Sequence, residues 1–252
     1  MSKKPPSSEG SQTFIGHLDE FRWRLIVCLT TVAVFSVICY FYSDPLLRFI
    51  TSPIRLRVPE IYFFSPAEAF VVKVKTALLG GFLAASPVIL TQLWLFVSPG
   101  LYGNEKKAVF PLVFITSFLF LTGSAFCFFK VMPAALDFLL SMQTDFYKPM
   151  VSMTEYVSFL SGMLFAFGVA FNLPVFVLAA VASGALSVKT LNTYQRHVIV
   201  LLFIVSAVLT PSPDIASQFM LAVPLVLLFE ISVGVAVLVE AARQRKRKLA
   251  HE

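Results

Sequence analysis

Six apolar runs joined by short polar connections constrain this chain more than any other feature: Leu25 to Tyr42, Thr76 to Val97, Ala108 to Phe129, Val157 to Ser183, Val198 to Leu209 and Ile215 to Val239. A helix needs about 20 mainly apolar residues to cross a hydrocarbon core roughly 30 Å thick. The 252 residues therefore hold several crossings and no sizeable soluble domain. Hydrophobic residues make up 58% and charged residues 13% of the chain, against about 25% charged in soluble domains. The reading is an all-α integral membrane protein with six transmembrane helices over residues 13–240. A polar, disordered tail at 1–12 and a basic tail at 241–252 flank it. The first twelve residues, MSKKPPSSEGSQ, lack the apolar core and cleavage site of a signal peptide.

Six crossings put both ends on one side, and the basic residues say which. Thirteen of the 20 Lys and Arg fall in the first tail and helix entry (Lys3, Lys4, Arg22, Arg24), the second-to-third loop (Lys106, Lys107), the fourth-to-fifth loop (Lys189, Arg196) and the last tail (Arg243, Arg245, Lys246, Arg247, Lys248). Only Arg48, Arg55, Arg57, Lys130 and Lys148 fall on the opposite side, with Lys73 and Lys75 near its surface. Positive charge collects on the cytoplasmic face, so both termini are expected there, and the net charge of +6 reports topology rather than nucleic-acid binding.

Local signals refine the spans. Ser65, Pro66 and Glu68 form a helix-start signature ahead of the second run, and Ser152 with Glu155 another ahead of the fourth. The fifth run, at 12 residues, would span only about 18 Å as a helix. Either its polar leading turn, Asn192 to His197, is drawn inward, or the fifth and sixth segments form a hairpin entering and leaving from one side. The connection Thr210-Pro211-Ser212-Pro213-Asp214 forbids a continuous helix. Pro87, Pro111, Pro174 and Pro224 fall inside spans, which fits kinked helices around a concavity as well as ordinary packing.

No motif for soluble catalysis is present. There is no GxxxxGK loop, HExxH or GxSxG, and His17, His197 and His251 are scattered. Cys28, Cys39 and Cys127 sit in apolar runs without a CxxC pair, so neither a disulfide framework, a metal nor any other cofactor is indicated.

Polar chemistry concentrates elsewhere. The stretch HLDEFRWRL, residues 17–25, sets Phe14, Leu18, Phe21 and Leu25 on one helix stripe and His17, Glu20 and Arg24 on another. Glu20 and Arg24 read equally as an i,i+4 pair that supports the helix. In WLFVSPGLYGNEKK, residues 94–107, Asn104 and Glu105 suit the start of the next helix. That reading leaves two carboxylates, Glu20 and Glu105, at the surface of a face otherwise rich in positive charge. A guanidinium-bearing partner would meet them in bidentate, charge-assisted hydrogen bonds. Within the membrane, Gln92, Asn172, Gln218 and Glu230 stand out. A carboxylate at a span centre costs roughly 2.5–3.5 kcal/mol, so Glu230 either acts, as in a proton-coupled small-solute transporter, or is satisfied by neighbouring hydroxyls or backbone freed near Pro224.

Taken in order, HLDEFRWRL, FFSPAEAF, WLFVSPGLYGNEKK, FGVAFNLP, TPSPDIASQ and LLFEISV resemble the TatC family, the multi-spanning subunit of the twin-arginine protein translocase, from about His17 to Glu240. The resemblance implies a non-enzymatic receptor in the bacterial cytoplasmic (inner) membrane. Such a receptor binds the twin-arginine signal peptides of folded cargo and forms a hetero-oligomer with single-span TatA and TatB subunits for export driven by the protonmotive force. It implies that Glu20 and Glu105 contact the arginine pair, that Arg22 and Phe96 line the same surface, and that Thr210 and Gln218 belong to a partner-binding region. It also implies a concave, glove-like bundle with short fifth and sixth helices. The chain departs from the family pattern at Asn172, where many relatives carry Glu, and in a TPSPD turn one residue longer than TPPD.

Overall fold

The computed structural model describes residues 9–58, 60–101, 109–141, 150–182, 187–209 and 215–249. Among these, nine α-helices follow in order: α1 (Glu9–Phe41), α2 (Ser43–Ile50), α3 (Ser52–Arg55), α4 (Pro66–Leu101), α5 (Val109–Phe126), α6 (Met132–Ser141), α7 (Met153–Ala182), α8 (Val188–Leu209) and α9 (Ile215–Leu249). A π-helical turn, Cys127–Val131, joins α5 to α6. Pro133 has no N–H for the carbonyl one α-turn back at Phe129, and the turn widens just ahead of it. Among the described residues, six stretches are long and apolar enough to cross a membrane: Gly16–Phe41, Pro66–Phe96, Phe110–Ser141, Met153–Val181, Lys189–Val208 and Leu221–Ala241. The fifth and sixth, at 20 and 21 residues, are the shortest; the others run from 26 to 32.

Two boundaries differ from the sequence reading. α1 begins at Glu9, inside the stretch read as a disordered tail, and α9 continues to Leu249 through the basic tail. The latter follows from the strong helix propensity of AARQRKRKL. The fifth run is longer as a helix than its apolar residues alone indicate. The polar leading turn is helical, so α8 has 22 residues and a length of about 33 Å.

The helices pack in an arc, α1 on α4, α4 on α5, α5 on α7, α7 on α9 and α9 on α8. α1 and α8 form its edges, with most of their surface turned outward. The core lies between, around Val72, Leu160, Met163 and Phe167. Small residues let the helices close up: a Cβ on Gly81 would stand 2.5 Å from the Ser36 backbone nitrogen, so α1 and α4 touch backbone to backbone at that level.

At the end of the bundle that holds α2 and α3, polar groups join distant segments. The two helix-start signatures bind each other: Glu68 Oε2 accepts the Phe64 N–H at 2.6 Å, while Oε1 accepts the Ser152 hydroxyl at 2.7 Å. Ser152 Oγ in turn accepts the Glu155 N–H at 3.4 Å. Beside them, Tyr62 and residues 151–153 form a two-bond parallel bridge. Arg57 grips Asp137 with both arms of its fork, at 2.5 and 2.8 Å, and donates to the Pro53 carbonyl at 2.8 Å. The carboxylate raises the Arg57 pKa above its ordinary value. Asp44 pairs with Lys73 at 2.9 Å, and this ammonium, with help from Arg48, holds the Asp44 carboxyl below its usual range. Lys75 donates to Ser158 Oγ at 2.6 Å.

Candidate functional site

The opposite end of the bundle holds HLDEFRWRL, residues 17–25 in the first half of α1, packed against the last turns of α4. Glu20 and Arg24 are one turn apart, as the i,i+4 spacing requires. Arg24 reaches Glu20 Oε1 with both Nε, at 3.0 Å, and Nη2. The remaining donors cross to α4, where Nη1 meets Gln92 Oε1 at 3.2 Å and Nη2 the Leu95 carbonyl at 3.3 Å. Pro99 has no N–H to give that carbonyl its helical bond, so the guanidinium donates at a place where the helix's own ladder is interrupted. Lysine, with a single ammonium, could not join all three acceptors in this planar geometry.

An aromatic shelf adjoins the network. His17 stacks on Phe96 with centroids 4.4 Å apart, and Phe21 tilts against the same ring at 5.5 Å. Phe96 is held by the residue two places before it. Trp94 is 1% exposed, donates to Thr116 Oγ1 at 3.0 Å and stacks on Phe176, so the end of α4 is fixed to α5 and α7. Glu20 Oε2 lies 3.7 Å from His17 Nδ1, and the Glu20 side chain keeps 37% of its surface exposed. One carboxylate oxygen is thus taken by Arg24, while the other has the longer contact with His17, in a partly exposed side chain beside stacked rings. That arrangement suits an incoming guanidinium, which can bond the oxygen through its edge and lie on an aromatic face.

The structure joins Glu20 and Phe96 through His17, but not Arg22. Arg22 is exposed and lies two positions from Glu20, where helical residues do not share a face. Glu105 and Thr210 lie outside the described residues. Gln218 donates to the Phe203 carbonyl at 2.9 Å and ties the start of α9 to α8. Asn172 is 1% exposed and donates to its own helix at Gly168 O, 3.0 Å away, while its Oδ1 has no partner among the described residues. Among the described residues, the hydrogen bonds to Glu230 come from an amide rather than from hydroxyls or freed backbone. Gln195 Nε2 approaches both its oxygens, at 2.6 and 2.7 Å.

Two residues of consequence were not assigned their roles from sequence. Gln92 was visible as a polar group in an apolar run, but nothing in the sequence pairs it with Arg24, 68 positions away. Gln195 belongs to the polar turn ahead of the fifth run, and its purpose emerges only once α8 and α9 lie side by side.

Comparisons with known proteins agree in direction. Residues 16–224 match the family model described as Sec-independent protein translocase protein (TatC). The chain is 36% identical over 228 residues to the Sec-independent protein translocase protein TatC of Magnetococcus marinus, covering 89% of this chain and 84% of that one. The corresponding Aquifex aeolicus protein is 35% identical over 234 residues, covering 91% and 96%. Among solved structures, a crystal structure of the twin arginine translocase receptor TatC superposes with a TM-score of 0.82 at 34% identity, covering 88% of this chain and 98% of that one.

Proposed function

The chain belongs to the TatC family of Sec-independent protein translocase proteins, and from that premise we propose that its Glu20 end is where twin-arginine signal peptides are read. The protein is a multi-pass membrane receptor and transport subunit of the twin-arginine translocase, and not an enzyme. This assignment replaces the solute-transport alternative built on Glu230. The observation that carries the proposal is the partly exposed carboxylate of Glu20, held by Arg24 on one oxygen and 3.7 Å from His17 Nδ1 on the other, beside the ring stack of His17, Phe21 and Phe96.

Glu105 supplies the second carboxylate, one for each arginine of the pair. Arg22, exposed on the neighbouring face of α1, limits how acidic the surface becomes and meets the polar residues around the pair. Single-span partners of the TatA and TatB type bind at the Thr210 and Gln218 end of α8 and α9 and complete a hetero-oligomer that uses the protonmotive force. The excess of Lys and Arg around the Glu20 end supports a cytoplasmic position for that end and both termini, in the bacterial inner membrane. Asn172, buried and with an open acceptor, serves by hydrogen bonding where many relatives have a carboxylate.

The test is export of a reporter carrying a twin-arginine signal. Glu20→Ala and Glu105→Ala are each expected to stop export while the protein still accumulates in the membrane. Undiminished export by both variants would remove the site from the account.

A further inference from the structure

A cavity of about 220 Å³ lies between α2, α4, α5, the π turn and α7, and has no part in the site described above. Its floor is buried, with Ile50 4%, Leu79 8% and Leu164 4% exposed, whereas its rim residues Phe49 and Phe129 are 53% and 62% exposed and Ala125 is also exposed. The opening therefore faces outward from the bundle. Ser124, a polar side chain in the lining, spends its hydroxyl on the Leu164 carbonyl at 3.1 Å. The interior is accordingly hydrocarbon in character. Comparable apolar cavities of about 150 Å³ stay dry and take up hydrocarbon ligands.

Depth identifies the occupant. The third span starts at Phe110, on the same side as the Glu20 end. Helical rise puts Leu121 about 17 Å and Phe129 about 29 Å along it, so the cavity occupies the leaflet opposite that end. Lys130, one residue beyond the rim, stands about 30 Å from Phe110, one core thickness along a helix that runs on to Ser141. It is exposed, and among the described residues no ion pair involves it.

We propose that this cavity takes one acyl chain of an anionic phospholipid from the leaflet opposite the Glu20 end, with the lipid phosphate at Lys130. The π turn makes the site. It sets Phe128 against Phe49, with centroids 4.8 Å apart, as one wall and presents Phe129 at the mouth, with Lys130 the next residue along the turn.

The test is native mass spectrometry of the full chain, purified in mild detergent and supplied with equal amounts of phosphatidylglycerol and phosphatidylethanolamine. Wild type is expected to retain one phospholipid through detergent exchange, with about fivefold preference for the anionic one, the preference one lysine near a membrane surface gives. Ala125→Phe should lose the retained lipid, and Lys130→Gln should keep a lipid but bind both headgroups equally. A chain-labelled spin probe on wild type and Lys130→Gln decides the matter if Ala125→Phe does not fold: an immobilised component stronger for phosphatidylglycerol must appear in wild type alone. Equal lipid retention by wild type and Ala125→Phe, or immobilised components that ignore headgroup and variant alike, would overturn the assignment. So would a co-purified single-span protein that Ala125→Phe displaces while lipid retention stays the same.

Discussion

The two ends of the bundle spend their carboxylates differently. At the end bearing α2 and α3, carboxylates are bound across long sequence separations: Asp137 accepts both arms of Arg57, 80 positions away, and Glu68, besides the nearby Phe64 N–H, bonds Ser152, 84 positions away. Those oxygens are occupied, and the contacts brace segments that would otherwise swing. At the other end Glu20 is paired within its own helix, with Arg24 and His17, and the long-range hydrogen bonds to α4 belong to the arginine. The anchor and the available group are separate residues there. The lesson is that a carboxylate is left free to bind when its positioning is delegated to a neighbour.

The contrast can be broken from either side. The largest effect is expected for Glu20→Ala, which removes the available group without touching the anchor. Binding of an arginine-paired signal peptide should fall by roughly ten- to a hundredfold, the value of a charged hydrogen-bonded pair, with an unchanged melting temperature. Titration of purified protein with labelled peptide measures this. Arg24→Lys comes next: lysine cannot serve Glu20, Gln92 and Leu95 together, so peptide affinity should fall about fivefold and the protein lose roughly 1 kcal/mol of stability. Full affinity in this variant would show that Glu20 needs no anchor.

Arg57→Ala should lower the melting temperature by about 2–4 °C and leave peptide binding unchanged, because its partner lies at the far end. A loss of binding there would erase the distinction. Asp44→Asn should matter least, about 1–2 °C at neutral pH, since the Asp44–Lys73 pair is largely exposed. Its pKa is depressed in the folded protein, so its contribution is complete above the unfolded value of about 3.9 and fades as pH falls through the lower folded value. Melts of wild type and variant should therefore converge in acid, and a difference that instead grew on acidification would reverse the sign.

The spans, their number and their helix starts were legible because apolar run length and local capping are sequence-local properties. The fifth span shows where that stops. Hydropathy saw the 12 residues from Val198 and missed the polar turn before them, whose Gln195 is tolerated because Glu230 receives it. Glu20, with its i,i+4 partner Arg24, and Asn172 and Glu230 could be singled out by residue type and position, and Phe96 through the family resemblance, but the partners across helices could not. Arg24 to Gln92 and Arg57 to Asp137 depend on which helices become neighbours. The π turn was equally hidden, and the third run was read as ending at Phe129 although the span continues through it to Ser141.

The central claim is that Glu20 and Glu105 grip one arginine each of a pair. A photo-crosslinker at position 105, challenged with a signal peptide bearing two arginines or two lysines in that place, tests it most directly. Strong labelling beside the arginine pair, lost both with the lysine peptide and in the Glu20→Ala background, is the expected result. Equal labelling of the two peptides, unaffected by Glu20→Ala, would contradict it.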